Sequence, residues 1–372
     1  MNKTTLHALA VALICAHFLV LAQAAPAITS VTGQVEQGSL IGITGTGFGT
    51  KTNASPFYWD DFETKIHGQS ALAAGLDDLG YDGQGLPYVR STLQDNNAKA
   101  LGVKALQMDY PLNKNSLFPR LGKAGLNTAE VYVSVWTYLK RTAGFGMGFP
   151  ILKLVRAGTN PPYGGVPRFY ETVRPDSAGK IVASDRGSVD SNGSTTWTQD
   201  VNKGQDADGW HRTEYYFKLS TPGVTDGVFQ SWVDGIQNVN LQDTMSRQPS
   251  STALINYVMS PFDGNDSYGM DNAYSLWVDN FYIDTTRARV EVCDAPTLSQ
   301  CTIRDIQPTT RWLASGTSIS VKLNLALFPP APQNLYLYVF DATGHANETG
   351  FLIRGGNLKT RPQRPRPNPP LK

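Results

Sequence analysis

Two neighbouring stretches decide the fold: Trp210-His-Arg-Thr-Glu-Tyr-Tyr-Phe-Lys218 and Gly227-Val-Phe-Gln-Ser-Trp-Val-Asp-Gly235. Side chains on a strand point alternately to opposite faces. Trp210, Arg212, Glu214, Tyr216 and Lys218 therefore share one face, and Thr213, Tyr215 and Phe217 share the other. In the second stretch Gln230 and Trp232 oppose Phe229 and Val233, and Asp234-Gly235 ends it as a hairpin turn. The same alternation recurs at 131–138, where Tyr132, Ser134, Trp136 and Tyr138 oppose Val131, Val133 and Val135. Further strand patterns lie at 150–156, 168–173 and 274–283, separated by Gly, Pro, Asn and Asp clusters, and no amphipathic helical period interrupts them. The region from 57 to 286 reads as all-β.

The chain ends supply a second unit. Residues 26–33 and 38–51 give two strands, the second closing in Gly45-Thr-Gly-Phe-Gly49. Two strands alone bury no two-faced core. Their partners are expected at 288–292, 312–325 and 334–341, which places residues 25–56 and 287–353 in one discontinuous domain with 57–286 inserted.

Both units carry a resemblance. The opening strands with their Gly-x-Gly-Phe-Gly turn, and the late Leu335-Tyr-Leu-Tyr-Val-Phe-Asp341 with Ala342-Thr-Gly344, resemble the IPT/TIG immunoglobulin-like family. The segments "DGWHRTEYYFKLSTPG", "DGVFQSWVDG", "LWVDNFYI" and "WDDFE" resemble the concanavalin A-like jelly roll of lectins, laminin G-like modules and glucuronan and alginate lyases. The fold class implied is all-β, a concanavalin A-like jelly-roll sandwich inserted into a discontinuous IPT/TIG sandwich.

The 372 residues carry 32 Lys+Arg against 31 Asp+Glu, a balance without the basic face that nucleic acid requires. Residues 1–24 have a basic start, an apolar run and an Ala-Gln-Ala end, the pattern of a cleaved secretory signal, so a secreted or periplasmic protein with no transmembrane segment after processing is expected. The two cysteines outside that leader, Cys293 and Cys301, are then expected to form a local disulfide. Residues 354–372 hold six basic residues and five prolines and read as a disordered tail.

The mixed aromatic and polar faces predict an open trough for an extended polysaccharide, with Tyr132, Trp136, Arg212, Glu214, Tyr216, Gln230 and Trp232, joined by Lys153, Arg168 and Tyr170. Rings stack on sugar faces, and Arg, Lys and Gln take hydroxyls or carboxylates. No carboxylate pair suits glycoside hydrolysis, and His67, His211 and His345 are scattered. A lyase would need a carboxylate neutraliser and a base, for which Arg212 and Tyr216 are the candidates. However, the alginate lyase strands Arg-Thr-Glu-Leu-Arg and Gln-Ile-His are not reproduced. Carbohydrate binding, β-elimination on a uronate polymer and an adhesive or structural role thus remain three readings. No cofactor is called for; Asp263, Asp266 and Asp271 in a Gly-rich loop are candidate ligands for a structural calcium.

Overall fold

Most of the alternating stretches become strands in the computed structural model, which describes residues 24–79, 87–91, 101–110, 120–141, 152–159, 167–175, 181–191, 194–199, 209–262, 274–329 and 333–355. At the N-terminal end lie β1 (Ala27–Thr32) and β2 (Leu40–Thr46). There follow β3 (Tyr58–Asp60), β4 (Asp77–Asp78), β5 (Tyr88–Ser91), β6 (Lys104–Tyr110), β7 (Arg120–Thr128), β8 (Glu130–Arg141), β9 (Leu152–Gly158) and β10 (Arg168–Pro175). Next come β11 (Ile181–Ser191), β12 (Ser194–Gln199), β13 (Trp210–Lys218), β14 (Gly227–Val233), β15 (Ile236–Thr244), β16 (Ile255–Phe262) and β17 (Tyr274–Asp284). The chain closes with β18 (Arg289–Cys293), β19 (Arg304–Gln307), β20 (Thr309–Trp312), β21 (Ser318–Lys322), β22 (Leu335–Phe340) and β23 (Phe351–Arg354).

The pairings are antiparallel, and the described residues form four sheets without an α-helix. An eight-stranded sheet runs β15-β14-β13-β8-β17-β6-β5 with β3 on β17, and a seven-stranded sheet runs β12-β11-β10-β9-β16-β7-β4. The two stack as a jelly-roll sandwich. Its core takes the apolar faces read from the sequence: Val131, Val133, Val135, Tyr215, Phe217 and Phe229 meet Leu154, Val155, Phe169 and Val258 of the other sheet. Each such fully buried side chain contributes about 1.5–3 kcal/mol.

The ends of the chain share a smaller sandwich. β2 pairs with β21 in register, Ile43 opposite Ile319, so strands almost three hundred residues apart lie in one sheet, β1-β2-β21-β20. It faces a second sheet, β19-β18-β22-β23, across a core of Ile41, Ile43, Phe48, Val290, Val292, Ile319, Val321, Leu337 and Val339. Gly47 and Gly49 both take positive φ (72° and 69°), and Phe48 between them is fully buried. A side chain at Gly45 would sit 2.1 Å from the Ala27 carbonyl oxygen, which is why glycine stands there. Cys293 and Cys301 are disulfide-bonded, Cα to Cα 5.8 Å. The strand expected over 312–325 is shorter, β21 at Ser318–Lys322, with a turn separating it from β20; β19, β23 and most of β20 had no counterpart in the sequence reading, and β23 carries ordered structure to Arg354, the first residue assigned to the tail.

No helix among the described residues is long and apolar enough to cross a membrane. The leader up to residue 23, the calcium candidates Asp263, Asp266 and Asp271, and residues 356–372 lie outside the described residues.

Candidate functional site

Strand parity places Tyr132, Trp136, Arg212, Glu214, Tyr216, Gln230 and Trp232 together on the outer face of the eight-stranded sheet, away from the jelly-roll core. Three expected companions are not there. Lys153, Arg168 and Tyr170 stand on β9 and β10 of the seven-stranded sheet, the opposite layer, so they are no part of that face; their side chains lie outside the described residues. Alternation fixes which side of a strand a residue takes, but not which sheet the strand joins.

The expected open trough is also corrected, because the smaller sandwich docks on this half of the face. On β18, Val290 and Val292 turn to the small core and Arg289 and Glu291 turn to the jelly roll. Arg212 donates to Glu291 through Nη1 and Nη2, each at 3.0 Å, and through Nε to Ser134 Oγ at 3.0 Å. Glu214 accepts from Arg212, from Arg304 Nη2 at 2.7 Å and from the Tyr132 hydroxyl. Arg212 and Glu214 are each 1% exposed, which no glycan-contacting pair in an open trough would be. Burial opposes the charge on each carboxylate, yet the arginines outweigh it. Arg212 and Arg304 hold Glu214 below the usual carboxylate range and, with Arg289, hold Glu291 well below it. Arg212 is driven above its ordinary value by Glu214 and Glu291 against its own desolvation.

The aromatics of this half are likewise engaged. Arg289 lies 4.5 Å from the Tyr132 ring, and Arg287 lies 4.7 Å from Tyr216 and 5.8 Å from Trp232. Ile306 packs with Tyr132, Tyr216 and Tyr282. Trp136 Nε1 donates to Asp305 Oδ1 at 2.9 Å, and Gln230 Nε2 to Asn240 Oδ1 at 2.8 Å. Tyr216 is buried with its hydroxyl on Glu130, and burial and that carboxylate raise its pKa, the opposite of what a base requires. The lyase candidates Arg212 and Tyr216 therefore have partners within the protein.

One step along the strands, away from the small sandwich, the same face presents a different set. Trp210 on β13 pairs with Tyr138 on β8, Tyr138 with Trp277 on β17, Trp277 with Gln107 on β6, and Gln107 with Tyr88 on β5. Five in-register side chains thus form a row crossing five strands, about 19 Å from end to end at the usual strand spacing. Ring centroids are 5.8 Å apart for Trp210–Tyr138 and 5.5 Å for Tyr138–Trp277. The Tyr88 end is polar. Asp109 accepts from the Tyr88 hydroxyl at 2.6 Å, from Gln107 Nε2 at 2.8 Å and from Ser275 Oγ, and Arg90 lies 6.0 Å from the Tyr88 ring.

At the Trp210 end the row meets a cleft of about 650 Å³ where the two sandwiches adjoin. Trp136, Trp210, Asp234 and Ile236 line the jelly-roll side, and Leu298, Thr302 and Arg304 line the other. Asp234, in the left-handed conformation (φ 49°), lies 2.8 Å from His211 Nδ1 and accepts from the Arg212 backbone N–H. The disulfide closes the loop that forms the far wall. Among the described residues the grouping of Cys293, Asp294 and Cys301 is the one with metal-ligand spacing, and both thiols are consumed in that bond.

Trp277, Gln107, Tyr88, Arg90 and Asp109 were absent from the sequence-derived trough. The signal was available: Leu276 and Val278 flank Trp277, and Leu106 and Met108 flank Gln107, all four facing the jelly-roll core.

No protein-family model matches the sequence, and no curated protein matches it. Similar solved structures include alginate lyase Aly36B, at 14% identity over 63% of this chain and 98% of that one with a TM-score of 0.45. The endo-β-1,4-glucuronan lyase from the fungus Trichoderma reesei is 15% identical over 62% and 96%, with a TM-score of 0.43. The cellulose induced protein Cip1 is 14% identical over 62% and 97%, with a TM-score of 0.40.

Proposed function

We propose that this is an exported carbohydrate-binding protein that holds a polysaccharide in the cleft where the partly exposed Trp210 end of the row meets the small sandwich. The observation that carries this reading is the cleft of about 650 Å³ lined by Trp136, Trp210, Asp234 and Arg304. The partly exposed Trp210 ring offers a stacking surface, and Asp234 and Arg304 offer an acceptor and donors for hydroxyls. The small sandwich, read here as the IPT/TIG-like host formed by 25–56 and 287–353, carries the jelly roll and flanks the groove at the Trp210 end. Affinity measurements on the mature protein with alginate, glucuronan and neutral glucans test the reading; failure to retain any of them sinks it.

A second reading, β-elimination on a uronate polymer, is favoured by the polar end of the row. There the partly exposed Tyr88 hydroxyl is hydrogen-bonded to the exposed Asp109 carboxylate, a pair along which a proton can pass, unlike the buried Tyr216, and the Arg90 guanidinium beside the ring can neutralise a substrate carboxylate. Ultraviolet absorbance of an unsaturated product, present in the wild type and lost in Tyr88→Phe, distinguishes turnover from binding alone.

A further inference from the structure

A second cavity, of about 660 Å³, opens between the small sandwich and β3 with the loop that follows it. It shares no lining residue with the cleft at Trp210. Phe57, Trp59, Asp61 and Glu63 stand on the jelly-roll wall, and Lys322 of β21 stands on the facing wall. Phe57 is 37% exposed, the most exposed aromatic side chain among the described residues, and Trp59 is partly exposed. The volume falls within the roughly 300–1,000 Å³ usual for small-molecule sites.

The charges decide what the cavity can take. Asp60 is already paired with Lys65 at 3.0 Å. Asp61 accepts from the Glu63 backbone N–H and Glu63 Oε1 from those of Val103 and Lys104, and neither carboxylate pairs with a Lys or Arg among the described residues. Lys322 is exposed and has no carboxylate partner among them. Two carboxylates without a counter-ion repel an anionic sugar, and Lys322 repels a cationic one. Asp60, Asp61 and Glu63 do not converge at the spacing a metal ion requires. A neutral polyol suits both walls, since each hydroxyl can donate and accept. We propose that this cavity is a second binding site, for a short neutral saccharide whose hydroxyls donate to Asp61 and Glu63 and accept from Lys322 while its apolar face lies on Phe57 and Trp59.

The test is calorimetric titration of neutral gluco-, manno-, galacto- and xylo-oligosaccharides, and of alginate and glucuronan oligosaccharides, into the wild type, Phe57→Ala, Asp61→Asn and Trp210→Ala. Phe57→Ala removes a stacking ring and is expected to weaken binding of the neutral sugar about tenfold. Asp61→Asn keeps an acceptor for the Glu63 N–H but trades a charged acceptor for a neutral one, and about fivefold is expected to be lost. Trp210→Ala, at the separate cleft, is expected to leave this affinity unchanged. Neutral sugars that bind equally well to folded Phe57→Ala and Asp61→Asn, or that do not bind the wild type, overturn the site. Uronate oligosaccharides whose binding is weakened by Phe57→Ala overturn its neutral selectivity, and calcium alone binding the wild type but not Asp61→Asn replaces the sugar with a metal. Retention of a polysaccharide that only Trp210→Ala abolishes would uphold the first cleft while this second site fails.

Discussion

The Arg212 guanidinium of the jelly roll and the Glu291 carboxylate of the smaller sandwich meet fork to fork, Nη1 to Oε2 and Nη2 to Oε1, both at 3.0 Å. Around them Glu214, Arg289 and Arg304 complete a buried network that joins the two sandwiches. Removing Glu291 leaves three arginines sharing the single carboxylate of Glu214 in a largely buried place. Glu291→Ala is therefore expected to cost about 3–5 kcal/mol, read from urea unfolding. A loss below about 1 kcal/mol, the size typical of exposed pairs, would mean that the network is solvated in solution.

Asp305 titrates in the opposite sense from those glutamates. Burial raises its pKa to about 7 despite Arg212 and the Trp136 indole N–H. The folded form keeps its proton where the unfolded chain, with an ordinary value near 3.9, gives it up. Its contribution is thus fully present below about pH 4 and is lost as pH rises toward 7, by at most roughly 4 kcal/mol. Glu214 and Glu291, held low, contribute above about pH 4.3 and fail only as pH falls through their folded values. Urea unfolding of the wild type and Asp305→Asn from pH 5 to 8 separates the two: the stability difference, wild type minus variant, falls across that window. Parallel profiles would contradict the assignment.

The face assignments were legible in the sequence, because Val131, Val133 and Val135 alternate with Tyr132, Ser134 and Trp136 whatever the tertiary context. The pairing of chain ends was legible too, since two strands need a partner. What lay beyond reach was the docking. Arg212-Thr-Glu214 and Arg289-Val-Glu291 each look like an ordinary solvent-facing Arg-x-Glu strand. Only when two such strands face one another do the charges cancel across the gap and the expected trough close. Local alternation carries no information about a surface that is polar alone and buried in company.

The pairing of β2 with β21 makes the small sandwich depend on both ends of the chain. Ile43→Ala removes a fully buried side chain between its two sheets, and about 2–5 kcal/mol is expected to be lost. Limited proteolysis of this variant should first release fragments cut in 288–350 as well as near the N-terminus, since the remaining strands lose their partner. Cleavage confined to residues before 50 would show that the C-terminal strands hold together without β2.

The disulfide constrains the loop walling the cleft. Cys293→Ser with Cys301→Ser is expected to cost about 2–3 kcal/mol, the loop-closure value for a ring of this size. Thermal unfolding with and without reductant should show the wild type falling to the level of the double variant. An unchanged midpoint on reduction would place the restraint in the Asp294 contacts to Thr302 and Ile303 instead.

Two tryptophans on one face are expected to behave differently. Trp232 is half-buried beneath Arg287 at 5.8 Å, at the junction with the small sandwich, whereas Trp210 stands at the end of the row and lines the cleft. Trp210→Ala is expected to weaken binding of a retained polysaccharide about tenfold with little change in stability, in keeping with the loss of one stacking platform. Trp232→Ala is expected to leave binding within twofold while lowering the unfolding midpoint, because its ring serves the docking of the sandwiches. Affinity electrophoresis for binding and urea unfolding for stability, run on both variants, decide the matter. The reverse pattern would return the ligand to the half of the face around Arg212 and require the small sandwich to move aside.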